Sequence, residues 1–510
     1  MSGLSQLLTR GILCLCILPI IYVAYQRISS PLKVVPGPYL ASVTPLWRVY
    51  HVIRGDWHDQ IVQLHQKYGQ YVRIAPNEVS TISPSALRVA YSHSGSPWIK
   101  DTWYQTWWGP SPYHPAFAET EVQRHRIMRR RVSKLYSMSY VLGMQCYTDR
   151  VLQRFFQQMR SLRGESTNMT KWTQLFAFDI IGELAFGDWF GGLDAAKDNH
   201  QLGHWVFLTI TAHASLGWTW LRAGSVFFFP VRLLMNRSLY ARARVQITTF
   251  PLVERNTLIL QFQAMKNPDG SVVHPREILT ETANVVLAGA DTTAISLRAV
   301  IYYVYTNPRI YAQLLREIGN ATRLGKLSPI VTFQEALELD YLQVVIKEAL
   351  RLFPAVGYQL PRLVPPGGAT LGGYYFPGGT TIGTNAWALH RNTEIYGSDC
   401  DEFRPERWLN QSDPNRLRMM EDCYGSFGFG SRTCLGKNLA LMEMYRLLPT
   451  LFRDFDVEVC NPQNPWKVTT GWFAFSNEFQ VRISARDDVP PLSHGPVASG
   501  KANSVTADHE

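Results

Sequence analysis

The chain of 510 residues lacks several features that would assign it to a common class of proteins. Its net charge of +10 is modest for this length, and the long lysine and arginine tracts of nucleic-acid binders are absent, so we expect no nucleic acid as a partner. The seven cysteines are odd in number and widely spaced, which excludes a disulfide framework and suits a reducing compartment. No glycine- and serine-rich linker or internal repeat divides the middle. One large globular domain therefore fits better than the roughly three that length suggests.

Residues 11–25, GILCLCILPIIYVAY, are apolar and uncharged. With the leucines just before them, they nearly reach the roughly 20 apolar residues that span a bilayer. A cleaved signal peptide is the alternative, but no small residues with the spacing of a cleavage site follow the run. We therefore predict an uncleaved, single-pass membrane anchor over residues 1–30.

Three further segments organise the rest of the chain. The prolines of VPGP, residues 35–38, break any helix and separate the anchor from the body. Residues 487–510 contain few large apolar side chains, which predicts a disordered tail after a catalytic domain over residues 31–486. The basic run RHRIMRRRVSK, residues 124–134, predicts a helix. This helix is either a solvated face or a docking face for an acidic partner or a bound anion.

A long apolar segment begins at Pro275, a residue type that suits the first position of a helix. It predicts one buried helix to about Tyr305, roughly 45 Å long. In its middle, AGADTT places Gly289 beside Asp291 and Thr292, and threonine hydroxyls can bond back to the carbonyl four residues earlier. The segment is either a helix–helix contact with a tolerated polar pair, or a local opening where a small ligand and protons meet an acid and a hydroxyl.

A second apolar helix is predicted over YLQVVIKEALRLFP, residues 341–354, where the proline stops it. Glu348 and Arg351 are three residues apart on one face, so they can pair. Their apolar neighbours indicate a buried pair, which needs further partners to offset desolvation. Arg407, in the later segment FRPERW, is the candidate partner.

The glycine-rich stretch FGFGSRTCLG, residues 427–436, is compatible with a phosphate, a metal or a flat cofactor. It is not a dinucleotide-binding loop, because Thr433 stands where the third glycine is required and no strand–loop–helix unit surrounds it.

A lone cysteine is usually a small buried apolar residue. Cys434, however, precedes the amphipathic segment LGKNLALMEMYRLL, so its sulfur lies at a helix N-terminus, which stabilises a thiolate. Such a thiolate could bind iron, with Gly430 and Gly436 leaving room for a flat ring. Arg432 would then pair with a carboxylate of that ring.

This ordered set of motifs resembles the cytochrome P450 family of haem-thiolate monooxygenases. The likeness extends from Pro36 to about Ala485, and residues 360–392 look most similar to the pisatin demethylase-like members of filamentous-fungal secondary metabolism. The resemblance implies a fold that is mainly α with smaller β-sheets (α+β), in a single large haem-binding domain after the anchor. The matching motifs are Ala288–Thr293, Glu348–Arg351, Pro405–Trp408 and Phe427–Gly436.

The resemblance implies haem b as the cofactor and Cys434 as the axial thiolate ligand of its iron. His125 stands where the family has a tryptophan, four residues before an arginine, so this sequence departs from the pattern there. The other cofactor-binding residues that the resemblance implies are Arg432, Arg129, His125, Arg362, Phe427 and Gly436.

Two more groups of residues follow from the resemblance. Asp291 and Thr292 match the acid–alcohol pair that handles protons during catalysis. Glu348, Arg351 and Arg407 match a buried structural triad, which governs folding and cofactor retention rather than chemistry. Trp408 replaces the phenylalanine that the family has after the last of these arginines.

The implied activity is insertion of one atom of O₂ into a lipophilic organic substrate, by hydroxylation, epoxidation or demethylation, in secondary-metabolite biosynthesis. An isomerase or dehydratase of the same family that needs no O₂, and a haem sensor without a substrate, stay open as alternatives. Five segments rich in apolar and aromatic residues are expected to enclose the substrate: residues 103–108, 205–220, 283–289, 355–360 and 471–475.

No nicotinamide or flavin motif is present, so electrons must come from a separate protein. The resemblance implies an NADPH-cytochrome P450 reductase, with cytochrome b5 as a second candidate, docking near residues 124–134. Microsomal relatives imply the endoplasmic reticulum membrane, with the catalytic domain in the cytosol.

Four glycosylation sequons test this topology, because only a luminal body acquires glycans. We expect glycosidase treatment of the native protein to leave its electrophoretic mobility unchanged. As a control, a secretory signal in place of residues 1–30 should send the body to the lumen and produce a shift. A shift in the native protein would contradict the cytosolic orientation. The sequons begin at Asn168, Asn236, Asn320 and Asn410.

Overall fold

The computed structural model describes residues 21–92, 98–107, 113–198, 257–409, 413–463 and 466–486. Several predictions concern residues outside these ranges: the first 20 residues of the anchor, Trp108, the segment 205–220 and the tail 487–510. The anchor, the tail and the limits of the catalytic domain therefore stay predictions.

Helices make up most of the described ranges. Short 3₁₀ turns connect them at Pro31–Val34, Thr102–Trp107, Lys134–Tyr136, Pro405–Trp408 and Gly430–Arg432, and a π-helical turn spans Tyr25–Ser29. In chain order the α-helices are α1 (Tyr39–Val43), α2 (Leu46–Arg54), α3 (Trp57–Tyr68), α4 (Pro84–Ala90), α5 (Val122–Ser133), α6 (Met138–Gly143), α7 (Gln145–Ser161), α8 (Met169–Phe186), α9 (Gly192–Ala195), α10 (Leu258–Gln263), α11 (Pro275–Tyr305), α12 (Pro308–Arg323), α13 (Phe333–Leu337), α14 (Asp340–Leu352), α15 (Ala386–Leu389), α16 (Thr393–Tyr396), α17 (Pro414–Asp422) and α18 (Lys437–Asp454).

The β-structure is small and divided among four sheets in the described residues. The largest has the strand order β1–β2–β8–β5–β3, and only its β2–β8 pair is parallel. A second sheet has the order β4–β12–β9, and β6–β7 and β10–β11 form two-stranded ladders. This confirms the predicted α+β class. The strands are β1 (Tyr71–Ala75), β2 (Glu78–Thr81), β3 (Ile99–Lys100), β4 (Ser166–Asn168), β5 (Arg362–Leu363), β6 (Ala369–Leu371), β7 (Tyr374–Phe376), β8 (Thr381–Gly383), β9 (Phe455–Val459), β10 (Lys467–Thr470), β11 (Ala474–Asn477) and β12 (Gln480–Ala485).

Helix α11 runs through the core between the bounds that the sequence predicts. Pro275 occupies its first position, and the His274 side chain accepts a hydrogen bond from the backbone N–H of Arg276 (3.2 Å). It is the one helix in the described ranges that is long and apolar enough to cross a membrane. Because 67% of its most apolar 18-residue stretch is buried inside the protein, it serves as a core helix, as predicted. It packs mainly against α8, whose side chains are also almost all buried.

The predicted charge triad forms in full and is completely buried. In α14, Arg351 donates from Nε and Nη2 to the two carboxylate oxygens of Glu348 (2.8 and 2.9 Å). Arg407 donates from Nε to Oε1 of the same carboxylate (2.7 Å). The remaining guanidinium donors reach backbone carbonyls, among them those of His390 and Cys400. These added contacts meet the requirement that a buried ion pair be fully hydrogen-bonded.

Two residues for which the sequence predicted no contact with the triad complete this network. Trp408 donates its indole N–H to Oε2 of Glu348 (2.9 Å), so the tryptophan that replaces the family's phenylalanine adds a hydrogen bond. His390 accepts at Nε2 from the N–H of Gly425 (2.8 Å) and therefore donates from Nδ1 to the carbonyl of Arg351 (2.7 Å). Burial lowers the pKa of His390 to about 3, which keeps the ring neutral. Hydrogen bonds thus connect the triad to Gly425, which lies just before the glycine-rich stretch that carries Cys434 (the cysteine loop, residues 427–436).

Substituting Glu348→Ala should destabilise the protein strongly, because it leaves the buried guanidinium of Arg351 without a counter-charge and that of Arg407 with Asp399 alone. Breaking a buried pair typically costs about 3–5 kcal/mol. The free energy of unfolding from denaturant titration measures this loss. Where too little folded protein is obtained for titration, the yield of soluble protein replaces it.

Arg309→Ala is the matched control, because Arg309 pairs with Glu406 at the surface and is 63% exposed. An exposed pair contributes about 0–1 kcal/mol. Equal stability and yield of the two variants would contradict a structural role for the triad.

Candidate active site

The loop that carries Cys434 closes on itself. The Cys434 N–H donates to the carbonyl of Phe427 (2.8 Å), and Gly428 and Gly430 have φ values of +73° and +57°, which favour glycine. A Cβ on Gly430 would lie 1.9 Å from the carbonyl oxygen of Tyr91. Gly430 therefore admits the protein's own backbone rather than a flat ring, contrary to the sequence prediction.

The sulfur of Cys434 borders space inside the molecule. The residue is accessible to a water-sized molecule, yet burial raises the pKa of its thiol, so the sulfur faces an internal cavity rather than bulk water. The backbone N–H groups of Gly436 and Lys437 and the charge of Arg129 act in the opposite direction and favour the thiolate. A Cβ on Gly436 would meet only this sulfur, at 3.9 Å, so this side of the loop is open.

Five basic side chains gather near this loop, and the charges of the lysine and the three arginines act on one another or on the histidine. Lys100 and Arg362 lie directly opposite each other on the antiparallel strands β3 and β5, an arrangement of like charges that destabilises a sheet. Sequence reasoning missed Lys100, because a two-residue strand carries no motif and its partner lies far along the chain. The five are Lys100, His125, Arg129, Arg362 and Arg432.

The electrostatics of this basic cluster indicate an anionic ligand. Burial, followed by the charge of Arg362, lowers the pKa of Arg432 to about 10. Nη1 of Arg432 is buried and has no hydrogen-bond partner among the described residues. Burial and the charge of Lys100 lower the pKa of His125 to about 2, so His125 is a neutral donor rather than a cation. Glu119 is the acid that favours the charged form of Lys100.

The middle of α11 presents a second opening to the interior. Ala288 is exposed although it lies in a core helix, and Thr292, one turn later, is partly accessible. The Thr292 hydroxyl donates to the Ala288 carbonyl (2.7 Å), the back-bond that the sequence allows. A Cβ on Gly289 would lie 2.8 Å from Cδ1 of Ile181 in α8. Gly289 therefore serves the helix–helix contact, and the free space lies beside Ala288.

Asp291 points away from this opening toward α8. It is buried, and its Oδ1 accepts a hydrogen bond from the side-chain amide of Gln174, a residue that no sequence signal indicated. Burial raises the pKa of Asp291 to about 6, while the Gln174 amide and the charge of Arg298 act to lower it. Oδ2 has no hydrogen-bond partner in the described ranges. The carboxyl group can therefore gain or lose a proton near neutral pH.

Three of the five predicted substrate segments meet in one aromatic cluster. Trp103 stacks on Tyr358 (ring centroids 6.0 Å apart, 9° between planes) and on Trp472 (5.1 Å, 27°). Trp107 and Phe117 contact Trp472 edge-on, at 5.4 and 5.7 Å. Trp103, Tyr358 and Trp472 are buried, and Trp107 and Phe117 are partly accessible. Only the last two therefore offer ring surface to a ligand.

Comparison with known proteins decides the family. A model described as "Cytochrome P450" matches residues 37–480. The chain is 32% identical over 496 residues to the cytochrome P450 monooxygenase cicH of Emericella nidulans, covering 93% of this chain and 98% of the relative. It is 34% identical over 484 residues to the cytochrome P450 monooxygenase gsfF of Penicillium aethiopicum, covering 91% and 95%. The chain belongs to the cytochrome P450 family.

The similarity also reaches a pisatin demethylase of Fusarium vanettenii, at 32% identity over 502 residues, covering 92% of this chain and 93% of the relative. This confirms the resemblance to the pisatin demethylase-like group. The protein is thus an oxygen-dependent oxidoreductase, and haem with a thiolate ligand is the cofactor of its family.

The residues of this cytochrome P450 fit haem. The Cys434 sulfur faces internal space, and two backbone N–H groups favour its thiolate form. The basic cluster and the unpartnered Nη1 of Arg432 suit the carboxylates at the haem edge. We therefore expect Arg432, Arg362 and Arg129 to hold the propionates, with His125 as a neutral donor.

Substituting Cys434→Ser should abolish the thiolate-type carbon-monoxide difference spectrum of the reduced protein, because an alcohol is a poor anionic ligand for iron. Cys146→Ser is the control, because Cys146 is exposed on α7, outside the cysteine loop. This variant should keep the spectrum unchanged. A Cys434→Ser protein that retains both the spectrum and its activity would contradict the assignment of the axial ligand.

Proposed function

We propose that this cytochrome P450 inserts one atom of O₂ into a lipophilic, ring-containing organic substrate, by hydroxylation, epoxidation or demethylation, in fungal secondary metabolism. One observation carries the proposal. In the middle of the buried helix α11, Asp291 and Thr292 follow shortly after Ala288, a position that is open to the interior. The other opening of the protein exposes the sulfur of Cys434. The relatives' names, which include a pisatin demethylase, support oxidation of organic substrates.

Haem bound through Cys434 would supply the activation of O₂, and the thiolate favours O–O cleavage. The chain's own part is to control protons. The Thr292 hydroxyl, held by the Ala288 carbonyl at 2.7 Å, can keep this acceptor while water reaches it from the open side, or rotate to donate into the cavity.

Asp291 supplies protons from the rear of the helix. Its pKa of about 6 lies close to the working pH, which is the condition for efficient proton transfer. Because its carboxyl group is bound to Gln174 on α8, it reaches the cavity only through water or by rotation of the side chain. Asp291 and Thr292 therefore have different roles: Asp291 is the proton reservoir, and Thr292 delivers protons.

The substrate class follows from the aromatic cluster. The accessible rings of Trp107 and Phe117 are backed by buried aromatic side chains, which hold them in fixed orientations. Rigid aromatic surfaces favour stacked or edge-on contacts with another ring. We therefore propose a substrate that contains at least one aromatic or planar ring.

Electrons arrive from a separate protein, and we propose an NADPH-cytochrome P450 reductase, with cytochrome b5 as a second donor. The basic helix α5 supports this docking site, because its residues Arg124, Arg126 and Arg130 are exposed, as is Lys134 directly after it. Lys437, next to the cysteine loop, adds another exposed positive charge. Such a face attracts an acidic partner.

We propose that the protein resides on the cytosolic side of the endoplasmic reticulum membrane, held by an N-terminal anchor. Helix α2, which follows the predicted anchor, supports contact with a membrane surface. Leu46, Tyr50 and Ile53 recur at helical spacing and are 49%, 57% and 72% exposed. Exposed apolar side chains on one face of a helix indicate an interaction surface.

The function is tested by comparing metabolites of a host with and without this gene. The compound that accumulates without the gene is then supplied to the purified enzyme with a reductase, NADPH and oxygen-18 gas. We expect the product to gain one labelled oxygen atom, or to lose a group through such a step. A product formed without O₂ and NADPH would instead favour an isomerase or dehydratase, and haem binding without any turnover would favour a sensor.

Substituting Thr292→Ala should uncouple the enzyme while haem and substrate binding stay nearly intact. Without the hydroxyl, protons arrive at the wrong time, and more hydrogen peroxide leaves per NADPH consumed. General acid–base groups contribute about 10²–10⁴-fold, and water filling the gap reduces the loss. The ratio of product to NADPH and the peroxide yield measure the effect.

Thr292→Ser is the control, because it keeps a hydroxyl at the same backbone position and should stay coupled. If Thr292→Ala matches the wild type in product formed per NADPH, Thr292 does not deliver protons.

A further inference from the structure

A second cavity lies outside the candidate active site and is lined in part by Arg407 of the charge triad. This cleft has a volume of about 490 Å³ and is lined almost entirely by polar atoms. Its walls come from α16 and the turn after it, from the 3₁₀ turn Pro405–Trp408 with Arg404 before it, and from α17. A lipophilic substrate would find almost no apolar surface here, so a ligand of this cleft has to be polar.

The charges around the cleft do not balance. A chain of alternating charges runs outward from Arg351 through Glu348 and Arg407 to Asp399 and Arg404. Each carboxylate in this chain lies between two arginines. The outermost member, Arg404, is a guanidinium that is 41% exposed at the cleft. This series of alternating charges therefore ends with the positive guanidinium of Arg404 at the cleft. A bound anion would be the next charge in the series.

Arg416, on α17, adds a further positive charge to the cleft. It is partly buried, and its guanidinium makes no ion pair or hydrogen bond within the described ranges. A Cβ on Gly397, whose φ is +94°, would lie 2.7 Å from Nη2 of Arg416. The absence of a side chain at Gly397 thus leaves room for the guanidinium in the cleft wall.

Two hydroxyl groups complete the set of donors. Thr393 and Ser398 line the cleft beside the arginines and are exposed. Two forked guanidiniums and two hydroxyls match a group with three or more acceptor oxygens better than a carboxylate, which has two. A volume of about 490 Å³ is also in the range of small-molecule pockets and exceeds what one phosphate ion fills.

We propose that this cleft binds a phosphate-bearing small molecule, with Arg416 and Arg404 on the phosphate and the hydroxyls of Thr393 and Ser398 as further donors. Arg407 forms the floor and stays bound to Asp399 and to the carbonyl of Tyr396. The bound phosphate offsets the excess positive charge at the outer end of the network. Because the inner end is the triad, binding stabilises the fold around it. The proposal does not depend on the substrate of the active site.

The test uses the full-length, haem-loaded protein and inorganic phosphate as the probe. A ligand that binds only the folded state raises the melting temperature as its concentration increases. We expect a saturable rise with phosphate that potassium chloride at the same ionic strength does not reproduce. Glucose 6-phosphate is the second probe. Tighter binding than phosphate identifies an ester as the ligand, and equal binding identifies the phosphate group alone.

Half of the maximal increase in melting temperature should require about tenfold more phosphate, or above, in the Arg416→Gln variant, because charge-assisted hydrogen bonds are lost. Arg418→Gln is the matched control, because Arg418 is exposed on the same helix and does not line the cleft. It should respond as the wild type does.

Should Arg416→Gln fail to fold, Arg416→Lys replaces it, and loss of the forked donor geometry should still weaken the response. The proposal is overturned if potassium chloride gives the same rise in melting temperature, if neither phosphate compound gives one, or if the Arg416 variant responds like the Arg418 variant.

Discussion

The carboxylate of Glu348 connects two parts of the chain that are far apart in sequence. It lies fully buried, and its oxygens accept from Arg351 on its own helix, from Arg407 and from Trp408. A buried carboxylate with unused lone pairs would cost several kcal/mol, so the network is stable only when all partners are in place. The carbonyl of Arg351 binds His390, which in turn holds the N–H of Gly425 ahead of the cysteine loop. The position of the Cys434 sulfur therefore depends on a charge balance built elsewhere in the molecule.

The electrostatics on the haem side have the opposite character. There the protein gathers Lys100, Arg362, Arg432 and Arg129, and the nearby acid, Glu119, also interacts with His114 and Arg124. The repulsion is visible in the lowered pKa values of Arg432 and His125, to which burial contributes most. In the triad each arginine is paired with a carboxylate, whereas here positive charge is in excess. We therefore expect folding of this region to be coupled to binding of an anionic cofactor, because haem propionates would provide the missing negative charge.

The sequence predicts those parts of the structure that depend on neighbours along the chain. The bounds of α11 follow from Pro275 and an unbroken apolar run, and the Glu348–Arg351 pair follows from helical spacing. The sequence does not predict those parts of the structure that depend on contacts between segments far apart along the chain. Lys100 faces Arg362 only through strand register, and Gln174 reaches Asp291 only because α8 crosses α11. The prediction that Gly430 makes room for a flat ring is wrong for the same reason: the sequence shows that the residue must be small, but not what approaches it.

Helix α11 illustrates how packing and chemistry share one element. Successive residues of a helix are about 100° apart, so the side of Gly289 and the side of Ala288 are adjacent yet distinct. Gly289 lets α8 approach until Ile181 fills the space where a side chain would be, and this contact fixes the rotation of α11 about its axis. With the rotation fixed, Ala288 and Thr292 face the interior opening while Asp291 faces Gln174. The contact between Gly289 and Ile181 thus makes the neighbouring residues Asp291 and Thr292 face different surroundings. Because they are separated in this way, Asp291 can hold a proton in a buried environment while Thr292 faces the cavity.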